Sequence, residues 1–221
     1  MEFKDYPKPA VTVDIVIFTI KDEQLKVLLV KRGVEPQKGS WALPGGFVKM
    51  DEPLESAAIR ELEEETGVKD VYLEQLYTFG EPKRDSRGRV ITVVYMALID
   101  SEKIKIHAST DTSDVDFFSI NKIPIVAFDH KKILDYALKR LKWKFEYSTV
   151  AFSMLPEKFT ISQIQKLYEI VFDKEFDKRN FAKKILSLDI LKEQGINKNV
   201  SHRPPMLYSL KADIGEIIEI I

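Results

Sequence analysis

The spacing of apolar residues changes once along this 221-residue chain, near Pro124, and that change limits the folds open to it. Before Pro124 the apolar residues fall in short, β-branched runs: "VTVDIVIFTI" from Val11, "LKVLLVKR" from Leu25, "VYLEQLYTFG" from Val71 and "RVITVVYMALI" from Arg89. Such runs read as strands, because successive side chains of a strand point to opposite faces. "DVDFFSINKIP" adds a short strand and turn, and "GVEPQKGSWALPGG" reads as a loop rich in Gly and Pro. Among the strands sits one helix, "EPLESAAIRELEEETG". Pro53 suits its first position, Asp51 or Glu52 could accept at its N-terminal end, and Gly67 suits the left-handed position that stops it. Strands around a helix imply an α+β or mixed α/β domain.

Beyond Pro124 the spacing is helical. "DHKKILDYALKRLKWKFEY", "TISQIQKLYEIVF" with Thr160 as N-cap, and "DKRNFAKKILSLDIL" read as three amphipathic helices. "KEQGINKNVSHRPPMLYSLK" then reads as a two-stranded ribbon with a basic tip. Three helices and a basic ribbon is the order of a winged helix-turn-helix. The expected division is one module over residues 1–128 and a second over 129–221. Charge follows it. The first holds 17 Lys and Arg against 22 Asp and Glu, the second 17 against 13, so the modules carry −5 and +4. Opposite signs suit different partners.

Composition narrows the chemistry. With no cysteine, disulfides, thiolate nucleophiles and thiolate metal sites are excluded. Only three histidines are present, so a metal site would be built from carboxylates. No apolar run approaches the ~18–20 residues that span a bilayer, so no membrane partner is expected. "MEFKDYPKPA" lacks the apolar stretch of a signal peptide, which makes the cytoplasm the expected compartment.

The helix after Gly45 and Gly46 is crowded with acids. Glu61, Glu64 and Glu65 stand at i, i+3 and i+4 and share one face, while Leu54, Ala58 and Leu62 form an adjoining stripe that can pack on a sheet. Glu63 points elsewhere. Three carboxylates on one face repel unless a positive charge lies among them. A hard divalent cation with oxygen ligands, Mg²⁺ or Mn²⁺, meets that need and also binds substrate phosphates.

From Gly46 through Glu52 to Arg60-Glu61-Leu62-Glu63-Glu64-Glu65-Thr66-Gly67-Val68, this segment resembles the Nudix box, G-x5-E-x7-R-E-U-x-E-E-x-G-U with U aliphatic. Seven fixed identities at roughly 7% each give about 10⁻⁸ per starting position by chance. The resemblance covers roughly residues 8–125. It implies a mixed sheet sandwiched between helices and hydrolysis of a nucleoside diphosphate linked to another group. The family's metal-binding carboxylates carry over to Glu61, Glu64 and Glu65. The metal would neutralise the diphosphate and lower the pKa of the attacking water. Glu52 and Arg60 then read as a supporting ion pair, and Gly45 and Gly46 as a close approach of backbone to phosphate. A later carboxylate, Glu81, Asp111 or Asp114, would complete the base function, and the sequence does not choose among them.

"GEPKRDSRGRV" offers Arg84, Arg87 and Arg89, whose guanidinium groups suit bidentate phosphate contacts. Trp41, Tyr77 or Phe79 could stack an adenine. Pro82, fifteen residues beyond Gly67, resembles the placement in ADP-ribose pyrophosphatases. The second module, "FTISQIQKLYEIVFDKEFDKRNFAKKILSLDIL", resembles the C-terminal domain of Nudix-related transcriptional regulators. That resemblance implies a sensor for an ADP-ribose-like or sugar ligand and a winged domain that binds duplex DNA as a homodimer. Lys178, Arg179, Asn180, Lys183 and Lys184 would lie on or just before the recognition helix, and Lys198, His202 and Arg203 in the wing. In many such regulators the box is degraded, whereas here it is intact. The expectation is therefore a metal-dependent hydrolase of an ADP-ribose-like nucleotide-sugar diphosphate with a DNA-binding domain. The alternative is a ligand-sensing regulator with little or no hydrolysis.

Overall fold

The computed structural model describes residues 6–67, 69, 71–100, 112–196, 204–212 and 218–220. The chain forms two compact units, Met1–Phe18 with Lys26–Ala137, and Thr19–Leu25 with Leu138–Ile221. The first is built on a seven-stranded sheet. Its strands are β1 (Ala10–Lys21), β2 (Gln24–Arg32), β3 (Trp41–Ala42), β4 (Gly45–Phe47), β5 (Tyr72–Phe79), β6 (Val90–Leu98) and β7 (Thr112–Ser119). The path runs β3-β2-β1-β6-β5, with β4 on β1 and β7 on β2. β1 and β6 run parallel, Val13 opposite Val93, whereas β4 lies antiparallel on β1 with Asp14 opposite Gly45. The segment expected as a plain loop therefore contains two short strands, which bring Gly45 and Gly46 against the middle of β1.

Helix α1 (Leu54–Thr66) follows β4. Ala57, Ala58 and Leu62 pack against Val13, Ile15, Leu28, Val93 and Tyr95 of the sheet. Leu54, expected in that stripe, is 37% exposed, and Ala57 takes its place. Pro53 is the N-cap rather than the first helical residue, and no side chain caps this end. Glu52 instead accepts from the Lys49 amide at 2.8 Å. Gly67 ends the helix at φ 66°, the left-handed conformation expected of it.

In the second unit lie the later part of α2 (His130–Tyr147), a 3₁₀ segment (Thr149–Met154), α3 (Ile161–Phe172), α4 (Lys178–Ser187) and the ribbon β8 (Leu191–Ile196) and β9 (Met206–Leu210). Thr160 caps α3 reciprocally with Gln163. The Tyr168 hydroxyl donates to the Phe145 carbonyl at 3.0 Å, so α3 is joined to the end of α2 through buried Tyr168 and Phe145. Phe159 exchanges two backbone hydrogen bonds with Tyr208 and adds a one-residue third strand to the ribbon. α4 is shorter than expected. It stops at Ser187, Asp189 takes φ 55°, and Leu191 already belongs to β8.

Candidate functional sites

A pocket of about 340 Å³ opens in the first unit, lined by β1, the β3–β4 segment, α1, the β5–β6 loop and the residues that lead into α2. Its acidic wall is α1. Helical spacing puts Glu61, Glu64 and Glu65 on the pocket side. Glu61 and Glu65 are buried, whereas the Glu64 side chain is 53% exposed. Arg60 lies among these acids. Its guanidinium meets Glu52 at 2.7 Å, Glu61 at 2.6 Å and Glu64 at 3.7 Å. The ion pair expected between Glu52 and Arg60 is therefore present, and it extends to two further carboxylates. Hydrogen bonds from Arg60 and from the Lys49 amide hold the Glu52 carboxyl down at about 2, and hydrogen bonds to Glu52 and Glu61 raise Arg60. Burial pushes the Glu61 carboxyl up, against the pull of Arg60. Among the described residues no three carboxylate or imidazole groups are gathered as metal ligands. The oxygen-only donors Glu61, Glu64 and Glu65 suit a hard divalent cation in kind, and burial raises Glu61 even with Arg60 paired to it.

The glycines are required by this packing. A Cβ on Gly46 would lie 2.2 Å from Glu61 Oε1, and one on Gly45, where φ is 151°, would lie 2.2 Å from the Val13 carbonyl oxygen.

Of the expected phosphate-binding arginines, one is at the pocket with a surface to offer. Arg87 lines it, paired with Asp85 at 2.7 Å and 5.3 Å from the centre of the Phe47 ring. Arg84 also lines the pocket, but its side chain is only 4% exposed and is held at 2.7 Å by Asp129 and at 3.5 Å by Asp14. It is an internal counter-ion. Arg89 is exposed, donates to the Gly80 carbonyl and is not part of the lining. The expected adenine stackers are elsewhere as well. Trp41 packs edge-on against Phe118 and Tyr77 against Phe79 and Tyr136, and none of the three lines the pocket. Phe47 and Phe128 are the aromatic lining. Of the proposed bases, Glu81 and Asp114 are exposed and outside the lining, and Asp111 lies outside the described residues.

A buried acid that was not expected stands at the pocket floor. Asp14 is 8% exposed, accepts from the Thr92 hydroxyl at 2.7 Å, and lies 3.8 Å from His130 Nε2. His130 Nδ1 accepts from the Leu43 amide at 2.8 Å, so that nitrogen carries no proton and the ring is neutral. Burial lowers the pKa of this imidazole. Asp14 lies in a run that reads as plain strand, and an acid at a buried strand position among "VTVDIVIF" was the one local signal that could have marked it.

In the second unit, all five residues expected on the recognition helix lie in α4. Asp177 caps it by accepting from the Asn180 amide at 2.9 Å. Phe181 and Ile185 are buried beneath it, and Lys178, Arg179, Asn180, Lys183 and Lys184 are exposed. A helix with four cations and no acid on its outer side is suited to a phosphate backbone. Lys198, His202 and Arg203, expected in the wing, lie outside the described residues.

Residues 8–140 match the NUDIX domain, and residues 151–210 match the NrtR DNA-binding winged helix domain. The "ADPR responsive transcriptional repressor NtrR" of Acinetobacter baylyi is 38% identical over 208 residues, 92% of this chain and 83% of the relative. The "ADP-ribose pyrophosphatase" of Methanocaldococcus jannaschii is 40% identical over 144 residues, 65% of this chain and 79% of that one. The crystal structure of Shewanella oneidensis NrtR complexed with a 27mer DNA superposes with a TM-score of 0.81 at 39% identity, covering 91% of this chain and 93% of that one.

Proposed function

Since the chain belongs to the Nudix family, in its branch with an NrtR-type winged-helix domain, we propose that it is a transcriptional regulator that binds duplex DNA and responds to ADP-ribose. The observation that carries this reading is α4, with its five exposed DNA-facing candidates over a buried Phe181 and Ile185, in a chain related over nearly its whole length to a protein crystallised on DNA. Lys178, Lys183 and Lys184 would contact phosphates, and Arg179 and Asn180 would read base edges. A homodimer is the proposed DNA-binding unit. ADP-ribose would enter the Nudix pocket and shift DNA affinity to the extent that it binds one arrangement of the protein better than another.

Fluorescence anisotropy on the chain's own upstream DNA and on random DNA tests this. Affinity for the upstream DNA should fall by roughly 0.9 log units per log unit of salt for each phosphate neutralised. Arg179→Ala should cost about 1–3 kcal/mol of sequence discrimination, while Lys184→Ala should weaken both DNAs alike. ADP-ribose should change the affinity of the full chain. Equal, weak binding to both DNAs at low salt would remove the regulator reading.

A second reading, metal-dependent hydrolysis of ADP-ribose, is favoured by the complete run from Gly46 to Val68 and by the pyrophosphatase relative. Glu61, Glu64 and Glu65 would hold Mg²⁺ or Mn²⁺, which supplies charge neutralisation and an acidified water. Arg60 would orient the carboxylates from behind, with Glu52 as its anchor.

A further inference from the structure

In the second unit the chain between Phe172, the end of α3, and Lys178, the start of α4, is a short turn. Asp173, Lys174, Glu175 and Asp177 are exposed there, so water could satisfy this backbone along many paths. Two sets of hydrogen bonds select one. Asp173 holds φ 52°, and its amide and that of Lys174 both donate to the Glu169 carbonyl. The second set is made by side chains. Gln165 and Glu169 stand at i and i+4 and share a face of α3. Gln165 Nε2 donates to the Phe176 carbonyl at 2.9 Å and to Glu169 Oε1 at 2.8 Å. The same Glu169 oxygen accepts from the Phe176 amide at 3.2 Å. Both backbone groups of Phe176 are therefore bonded to side chains of α3. The bond from Gln165, and after it that from the Phe176 amide, hold the Glu169 carboxyl below its ordinary range. Phe176 directly precedes Asp177, the cap of α4. Its ring centre lies 5.6 Å from that of Phe181 and 6.4 Å from that of Phe172. Phe181 is buried beneath α4, 5.5 Å from the ring of Tyr168 in α3. The first turn of α4 is thus fixed to α3 by a clamp on the Phe176 backbone and by packing of these rings.

We infer that Glu169 and Gln165 are positioning residues for base readout: without touching DNA, they set the start of α4, where Arg179 and Asn180 lie. This deepens the proposed function and rests on its assignment of duplex DNA to α4. A bidentate contact between a side chain and a base edge requires the helix to be placed within about 0.5 Å and 10–20°. Contact of a lysine with a phosphate does not, because an ammonium on a flexible four-carbon stem reaches its partner from many positions. A turn released from Glu169 and Gln165 would keep the cations of α4 on the surface and loosen the placement of Arg179 and Asn180. The loss then falls on sequence discrimination and not on affinity for DNA in general.

Fluorescence anisotropy of the full chain on its own upstream DNA and on random DNA gives the ratio of the two affinities, which is the test. Glu169→Ala should lower that ratio by about ten-fold, as loss of one charge-assisted hydrogen bond would. Its affinity for random DNA should not fall, since no phosphate contact is removed. Gln165→Leu removes the donor without changing the charge, and should lower the ratio by about three-fold or more. Glu169→Gln keeps an acceptor of the same length and should hold the ratio within about three-fold of wild type. Any gain from the lost negative charge is common to both DNAs and cancels. The double variant, Glu169→Ala with Gln165→Leu, should lose little more than Glu169→Ala alone, because both side chains act on Phe176. A melting curve for each variant separates loss of readout from loss of fold, and if Glu169→Ala does not fold, Gln165→Leu decides. A folded Glu169→Ala or Gln165→Leu variant that keeps the wild-type ratio overturns the inference. So does a variant that weakens both DNAs alike, which a merely structural role would produce. In those cases the wild type still prefers its upstream DNA, and the regulator reading stands. A wild-type chain with no such preference removes both.

Discussion

A Cβ at position 46 would meet Glu61 Oε1 at 2.2 Å, so this carboxylate can rest against the β4 backbone only while glycine is there. His130 is constrained in a similar way. Its Nδ1 accepts from the Leu43 amide, and a proton on that nitrogen would set one donor against another. The folded chain therefore resists protonation, and burial adds to the resistance, which is why the imidazole titrates below its ordinary 6.5. The sign for stability follows. Below about 6.5 the unfolded chain binds a proton that the folded chain does not, so stability falls as pH drops, by at most about 1.4 kcal/mol per pH unit for one group. His130→Asn keeps an acceptor for Leu43 and does not titrate. Urea unfolding at pH 7.5 and 5.5 should show a larger loss for wild type than for the variant. Glu61, raised by burial, acts in the opposite sense in both proteins and cancels in the difference. Equal losses would mean that His130 contributes nothing to the pH dependence.

At the scale of elements, helices α1 and α3 begin differently. α1 starts at Pro53 with no side-chain cap, and its first turn depends on packing of Ala57 and Ala58. α3 starts at a reciprocal cap, Thr160 with Gln163, directly after Phe159 joins the ribbon through Tyr208. Thr160→Ala removes one acceptor from that turn and should cost about 1 kcal/mol. A fall of a few degrees in Tm, with the affinity for ADP-ribose unchanged, is the expected result. Caps of this kind are readable in a sequence because the acceptor lies within three residues of the amide it serves. The two-strand segment from Trp41 to Phe47 is not readable in that way. Its residues pair with β2 and β1, and nothing local distinguishes such pairing from a Gly- and Pro-rich loop.

For the whole molecule, the proposed ligand sensing and the proposed hydrolysis would share one pocket. The acids of α1 would serve hydrolysis, and Arg87 would serve binding. Glu64→Gln keeps size and removes charge. It should lower Mg²⁺-dependent turnover of ADP-ribose by on the order of 10²-fold or more, as loss of a metal-bound carboxylate does. ADP-ribose should still alter DNA affinity in that variant. Formation of AMP and ribose 5-phosphate, followed in parallel with anisotropy, makes the comparison, and turnover that survives EDTA or the Glu64→Gln change would remove the metal-dependent reading. Among the described residues no helix is long and apolar enough to cross a membrane.

The longer strands and the helices, the acidic face of α1 and the basic face of α4 were legible in the chain itself, and the Glu52–Arg60 pair followed from the resemblance to the Nudix box. The two faces depend on spacing within one helix, where 3.6 residues per turn decides which side chains are neighbours. Tertiary structure decided which arginine is spent internally and which stays exposed at the pocket. Arg84 and Arg87 are three positions apart in one polar loop, and only the folded chain places Asp14 and Asp129 around the first and Phe47 beside the second. Asp14, Arg32, Phe128 and His130 come from β1, β2 and the start of α2, and the Leu43–His130 bond spans 87 positions. Local periodicity carries no information about contacts at that separation. They form only when the strands have paired and the chain leading into α2 has come to lie beside β3.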